Sequence, residues 1–439
     1  AVAQAGRPAG DYLGLTVTSL RQGFVLLGQE GQPLAPGILN YDRRGADYIR
    51  LVEAALSTDA IYRLTGHWHA PELTLPKLLW VKHEQPAVWR RARALLFVHD
   101  WLLYRLTGKH ASAPTMIAAG QMADCLARGW ATDLLAALGI PGEILPPVYE
   151  GGVCLGGLLP AVAAEVGLKA GLPVHVGGGD TQFGCLGAGA LAPGSVVIVG
   201  GSTTPILMTT DQPLFDPLHY PWVSPHLVPG LWSVEAIAGH TGMLYKWLRD
   251  AFGQAQVTQA RAEGRGDYEV LNDLAAAAPL GANGLLAVAT SPRWAQDTWQ
   301  HKAPYVLYNL SVSHTIGDVA RAIMEGVCFG VRGNLAQLER LAGKALGELV
   351  YTGGSARVPF WAQMMADVIG RQLTVPLVPE PAAAAGAQLV LWGQEKQEGL
   401  PPPPAVTYEP DPARHAIYDP VYESYLDVFE KMQRHFAAR

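Results

Sequence analysis

The sequence predicts an α/β protein of two domains. At 439 residues the chain is long enough for two or three domains of about 100–200 residues each. Short β-branched runs alternate with stretches of helical spacing along its length. A strand that runs into a glycine turn occurs in both halves: residues 174–176 before Gly177-Gly178-Gly179, 196–199 before Gly200-Gly201, and 349–352 before Gly353-Gly354. This repetition suggests one fold used twice, with domains at 1–190 and 191–439.

The elements follow in order. Residues 12–19 (YLGLTVTS) and 23–27 (GFVLL) read as strands, with a turn at Glu30-Gly31. Residues 43–56 carry helical spacing through Tyr48, Leu51, Val52 and Leu56. A helix is expected over 130–138, with Thr132 as its N-cap and Gly139 and Pro141 ending it. In the second half, 241–252 is helical, with Leu244, Trp247 and Leu248 on one stripe. Residues 316–341 form a long helix on which Val319, Ile323, Val327, Val331 and Leu335 recur at three-to-four spacing. Pro359 suits the first position of a helix that ends at Gly370. Residues 373–378 are a further strand, and the four prolines at 401–404 make a stiff surface segment before a helical tail.

Composition narrows the function. Hydrophobic residues make up 49% and charged residues 16%, which excludes a disordered chain. The net charge of −6 is the wrong sign for nucleic-acid backbones. No apolar run is long enough to cross a bilayer, and no signal peptide is visible. Cys125, Cys154, Cys185 and Cys328 have no C-x-x-C spacing and read as buried thiols of a reducing, cytoplasmic compartment. The first residues are helix-compatible without a capping signal, as if the chain began inside an element.

Asp180 is the candidate general base. It follows three glycines at the C-terminal end of a strand, where an α/β sheet opens toward its ligand, and glycine lets backbone and ligand approach closely. The same residues also read as a strand-end turn with Asp180 as a helix N-cap. Gly201, Ser202 and Thr203 offer successive backbone donors and hydroxyls, a nest able to hold phosphate without net positive charge, or else an ordinary turn. Gly353-Gly354-Ser355 could approach a nucleotide by its backbone, or simply join strand to helix. Arg21, Gln22 and Asp42 suit the paired donors and acceptors that a polyol demands, or a solvated loop. His67 and His69 read as a surface loop, His240 as a cap neighbour, and Trp222, Trp232 and Trp247 as core.

The order of these signals resembles a known family. Tyr41-Asp42-Arg43-Arg44, Pro76-Lys77-Leu78-Leu79-Trp80, and Asp100-Trp101-Leu102 with Arg105-Leu106-Thr107-Gly108 resemble the N-terminal domain of FGGY carbohydrate kinases. Residues 177–182 resemble that family's catalytic-aspartate segment. Pro193-Gly194-Ser195 leading to Gly201-Ser202-Thr203 resembles its second phosphate motif. Residues 321–327 and 353–368 resemble its C-terminal helix and adenosine motif. Within the family, residues 177–187, 224–230, 247–252, Asp297-Thr298-Trp299 and 409–418 look most like the autoinducer-2 kinases; xylulokinases and gluconokinases fit these stretches less well.

The resemblance implies two actin-like (ribonuclease H-like) α/β domains with a cleft between them. It implies ATP and Mg2+ as cofactors, and a small sugar or open-chain polyol as substrate. Asp180 would be the base and a contact for magnesium. Arg21, Gln22, Asp42, Asp180 and Gln182 would bind substrate. Gly201, Ser202, Thr203, Gly242, Lys246, Gly353, Gly354 and Ser355 would bind ATP. Neither nucleic acid nor membrane is an expected partner; a homodimer is allowed. A non-catalytic sugar- or nucleotide-binding regulator on the same fold is the alternative. The chain departs from the family pattern at three places. Ser291-Pro292-Arg293-Trp294 replaces a G-E-R-x-P-like loop. Pro381 stands where the family carries Glu, with Glu380 one residue earlier. The family's opening D-x-G-T hairpin has no counterpart in this sequence, so the resemblance implies a first domain lacking its N-terminal hairpin.

Overall fold

The expected alternation of strand and helix is realised in two units of the computed structural model, which describes residues 2–293, 295, 305–378, 380–395, 400–401 and 403–437. One unit comprises Ala1–Leu191, Thr209–Val234 and Val378–Pro402; the other comprises Ala192–Met208, Glu235–Leu377 and Pro403–Arg439. Trp294 and the Asp297-Thr298-Trp299 stretch lie outside the described residues.

In the first unit, Pro173–Gly179 is the central strand of a three-stranded mixed sheet. It runs parallel to Leu15–Ser19 and antiparallel to Cys154–Gly157. The three glycines belong to the strand itself, because their partners Thr18 and Ser19 pair with Gly178 and Gly179. A register shift between Thr16 and Thr18 places an extra residue in the glycine strand, a bulge that re-aims the residues beyond it. Phe24–Leu27 pairs instead with Ala94–Phe97, so residues 12–27 feed two sheets. Leu78, Phe97, Leu103, Ile117, Val174 and Val176 pack in this unit's core. Helix Asp180–Gly187 lies against helix Pro381–Gly393 at close range: a Cβ on Gly187 would fall 1.7 Å from the Pro381 carbonyl oxygen.

The second unit is built on part of a seven-stranded mixed sheet. Val196–Gly200 pairs in parallel with Leu349–Gly353, and the register sets Gly353 opposite Gly200. Two glycine turns therefore open side by side at one sheet end. Leu373–Pro376 continues in parallel, Ala405–Tyr408 closes antiparallel, and residues 206–208 pair antiparallel with Val196–Gly200 on the other side. The long helix spans Ile316–Ala342. Thr315 and Asp318 form its capping box and Gly343 ends it at φ 65°. Its Gly326 backs onto the Ala287 carbonyl, 2.3 Å from where a Cβ would lie, so this helix and its neighbouring chain approach more closely than alanine would allow.

Several local expectations change. The helix expected over 43–56 begins later, as a turn at Ala46–Tyr48 followed by Ile49–Ala55. Thr132 is the first helical residue rather than the cap; Ala131 holds that place without a side-chain bond. Gly179, not Asp180, occupies the cap of the helix that Asp180 begins. Cys154 is exposed, whereas the other three thiols are buried. Trp247 is 48% exposed, because the helix buries Leu244 and Leu248 and turns the tryptophan outward. Pro381 starts its helix in the first-turn position that suits a residue with no N–H.

Candidate active site

The bulged strand and the helix after it present Asp180 at the sheet end. Its side chain is about half exposed, and the Arg21 guanidinium lies 3.9 Å from Oδ1. That oxygen also accepts the Thr181 N–H at 2.7 Å. Two residues further, Gln182 is fully buried, and among the described residues neither its side-chain oxygen nor its nitrogen has a hydrogen-bond partner. Gly179 is where these groups meet: a Cβ there would sit 2.8 Å from Gln182 Oε1 and 2.9 Å from Arg21 Cγ and Cδ. The structure thus brings Arg21, Asp180 and Gln182 together around a glycine that leaves them room.

Gln22 and Asp42 are held differently. Gln22 adopts φ 68°, a left-handed conformation that is uncommon for a non-glycine residue. Its carbonyl accepts from Thr74 Oγ1 and Lys77 Nζ, each at 3.0 Å. Lys77 also donates to the Leu39 carbonyl at 2.8 Å. Burial pushes its ammonium down to about 8, against the pull of Asp42 and Glu72. Asp42 receives Arg44 through both carboxylate oxygens, at 2.9 and 2.7 Å, and this bonding holds its carboxyl below the usual range. Lys77 therefore ties the loops that carry Gln22 and Leu39, a role that its place in a helical motif did not reveal. His67 and His69 are buried, not surface residues. Gln121 donates to the His67 carbonyl and reaches His69 Nδ1, so the pair belongs to a packed polar cluster beside Trp68 and Trp222.

In the second unit three chain segments converge on a cavity of about 370 Å³. Gly201 and Ser202 line it from one strand end, Gly354 and Ser355 from the adjacent one, and Gly242 and Lys246 from helix Thr241–Phe252. The glycines are sterically required. A Cβ on Gly242 would lie 2.2 Å from the Gly201 carbonyl oxygen, and one on Gly200 would lie 1.9 Å from Ser355 Oγ. Thr203 and Gly353 stand behind the lining: the Thr203 carbonyl accepts the Gly201 N–H, and Gly353, at φ 93°, packs on Gly200. Lys246 is exposed and paired with Asp250. Tyr245, Tyr268, Asn272 and Trp361 complete the walls. Trp361 falls within the 353–368 motif, whereas Tyr268 and Asn272 lie in a segment that no motif signals.

A glycine-lined cradle of backbone donors beside aromatic walls fits a nucleotide's phosphates and base. Among the described residues no cluster of three or more His, Cys, Asp or Glu could hold a metal ion. Magnesium usually binds through one or two carboxylates together with substrate phosphates, so a lone Asp180 carboxylate fits a shared ion better than an all-protein cage.

Comparisons with known proteins identify the family and the fold. Residues 2–187 match the profile of the FGGY family of carbohydrate kinases, N-terminal domain, and residues 196–391 that of the C-terminal domain. The autoinducer-2 kinase of Yersinia enterocolitica serotype O:8 / biotype 1B is 32% identical over 424 residues, 91% of this chain and 79% of that protein. The autoinducer-2 kinase of Salmonella paratyphi A is 31% identical over 445 residues, 98% and 83% of the two. Among solved structures, xylulose kinase from Rhodospirillum rubrum superposes with a TM-score of 0.83 at 26% identity, covering 98% of this chain and 86% of that one. Gluconate kinase from Lactobacillus acidophilus does so with 0.84 at 20% identity, over 97% and 85%, a likeness of fold. The chain belongs to the FGGY family of carbohydrate kinases and is a phosphotransferase that uses ATP to phosphorylate a sugar.

Proposed function

We propose that the sugar binds on the N-terminal domain (1–190), that ATP binds on the C-terminal domain (191–439), and that Asp180 takes the proton from the hydroxyl that is phosphorylated. The observation that carries this reading is Gln182. A buried amide with no partner among the described residues costs about 1–3 kcal/mol, and it packs with Arg21 around Gly179, next to Asp180. A hydroxylated ligand there would satisfy the amide and bring a hydroxyl to the carboxylate. Arg21 would orient the ligand by donating to its oxygens, and Gln22 and Asp42, on the loops tied by Lys77, would shape the far wall. Ser202, Gly242, Gly354 and Ser355 would face the nucleotide phosphates, Gly201, Thr203 and Gly353 would shape the turns behind them, and Lys246 would stand at the rim. ATP would supply the phosphoryl group; the Asp180 carboxylate is the residue that would hold magnesium, which would contribute charge neutralisation on that group.

The substrate class is a small sugar or open-chain polyol of autoinducer-2, pentulose or gluconate type. The test assays the enzyme with ATP and magnesium against autoinducer-2, xylulose and gluconate separately. ADP and phosphorylated sugar should form in equal amounts with at least one of them. Binding of sugar and ATP without ADP release would instead mark a regulator on the kinase fold.

Gly354 tests the nucleotide assignment. It is helical at φ −62°, and a Cβ there would meet only the Gly200 carbonyl oxygen, at 3.8 Å. Valine should leave the fold intact and intrude into the cavity. Gly354→Val is expected to weaken ATP binding about tenfold, about 1.4 kcal/mol, with sugar affinity unchanged by calorimetry. Equal loss of both, or of neither, would count against the assignment.

A further inference from the structure

The three glycines before Asp180 are each held by a side chain. The Gly177 N–H donates to His99 Nε2 and the Gly179 N–H to Thr115 Oγ1, both at 3.2 Å. Between them the Gly178 carbonyl accepts from Thr18 Oγ1 at 3.1 Å. His99 and Thr115 are buried and come from two different helices, Val98–Thr107 and Pro114–Ala119.

His99 is itself fixed. Its Nδ1 lies 2.8 Å from Asp100 Oδ1, and the other oxygen of Asp100 accepts the Phe97 N–H at 3.1 Å. An acceptor at Nε2 requires the ring proton on Nδ1, where it is donated to Asp100, so the carboxylate selects the tautomer that can receive Gly177. The glycine strand has no room to choose its own path. A Cβ at Gly177 would lie 1.8 Å from the Val17 carbonyl oxygen, and one at Gly178 would lie 2.5 Å from Thr115 Oγ1. Glycine is needed for this approach, yet glycine alone is also the most freely rotating backbone. The side-chain bonds supply the direction that the residues lack.

We propose that His99 and Thr115 are positioning residues that aim Asp180 by pinning the backbone of Gly177 and Gly179. The proposal rests on the reading of Asp180 as the base. Neither residue is proposed to touch substrate; both act through the strand.

The test compares Thr115→Val, which keeps the shape and removes the acceptor, with Thr115→Ser, which restores it. Displacement of a catalytic group by about 1 Å can cost around a hundredfold in rate. Thr115→Val should therefore lower kcat by about 10–100-fold while KM for ATP stays within about twofold, and Thr115→Ser should recover to within about threefold of the parent enzyme. His99→Leu should behave like Thr115→Val, and His99→Gln, whose amide oxygen can take the place of Nε2, should recover part of the loss. If His99→Leu fails to fold, the Thr115 pair still decides. An unchanged kcat in Thr115→Val, measured below the melting temperature of both proteins, would overturn the proposal. So would a parallel fall in kcat and ATP affinity, which marks general loosening. Asp180→Asn is run alongside. If that variant turns over, the base reading itself fails; if it is inert while Thr115→Val is unaffected, only the positioning role fails.

Discussion

Asp180→Asn is expected to lower phosphoryl transfer by about 10²–10⁴-fold, the usual worth of general-base assistance, while leaving ATP affinity within about twofold. The change is nearly isosteric. An asparagine oxygen can still accept the Thr181 N–H that Oδ1 now receives, so the first turn of helix Asp180–Gly187 should hold. What disappears is the group able to accept a proton, together with the negative charge 3.9 Å from Arg21. The cavity proposed for the nucleotide is lined entirely by residues of the other unit, so its affinity for ATP gives an internal control for folding. Single-turnover measurement of sugar phosphate formation, with ATP binding followed by calorimetry, separates the two effects. Near-normal turnover with autoinducer-2, xylulose or gluconate would remove Asp180 from the role.

The glycine turns were legible because their signal is local. Gly177, Gly200 and Gly353 lie inside the strands rather than after them, yet each strand was read to within a few residues of where it lies. The long helix from Ile316 and the Pro359 helix were equally legible, since capping and periodicity are properties of neighbouring residues. What the sequence withheld depends on contacts between distant segments. The parallel register that sets Gly353 opposite Gly200 turns an ordinary hairpin turn and a strand–helix connection into the walls of one cavity. His67 and His69 look like a hydrated loop until Gln121 and Trp222 cover them. Lys77 stands in the sequence only as part of the Pro76–Trp80 motif, and only the fold shows its ammonium buried against the Gln22 and Leu39 carbonyls. Tyr268 and Asn272 carry no motif at all. Local chemistry thus announced the backbone of the candidate site, and tertiary packing supplied most of its side chains.

The largest stability effect is expected at Glu325, on the long helix of the second unit. Glu325 and Arg321 are both buried, four residues apart on one helical face. Glu325 Oε1 accepts from Arg321 Nε at 2.8 Å, from the Gly281 N–H at 3.0 Å and from Tyr418 Oη at 3.2 Å. Arg321 spends its other nitrogens on the Ala278 carbonyl at 2.6 Å and on Tyr418 Oη at 3.0 Å. Burial pushes the Glu325 carboxyl up, and Arg321, Gly281 and Tyr418 pull it back. One cluster thereby ties the long helix to the C-terminal helix and to the turn at Gly281, and the same long helix places Val327 in the glycine-lined cavity of this unit. Glu325→Gln keeps the volume and one acceptor oxygen but leaves the guanidinium buried without a counter-charge. Breaking one side of such a pair typically costs about 3–5 kcal/mol, so the denaturation midpoint of the second unit should fall sharply. Replacing both partners, Arg321→Met with Glu325→Leu, removes the stranded charge and should recover much of the loss, because apolar substitutes for a buried pair are often neutral. Urea denaturation followed by tryptophan fluorescence, with Trp361 reporting from the second unit, measures both variants. A Glu325→Gln protein that unfolds at the parent midpoint would mean that water or a rearranged Tyr418 satisfies Arg321 and that the pair does not hold these elements together.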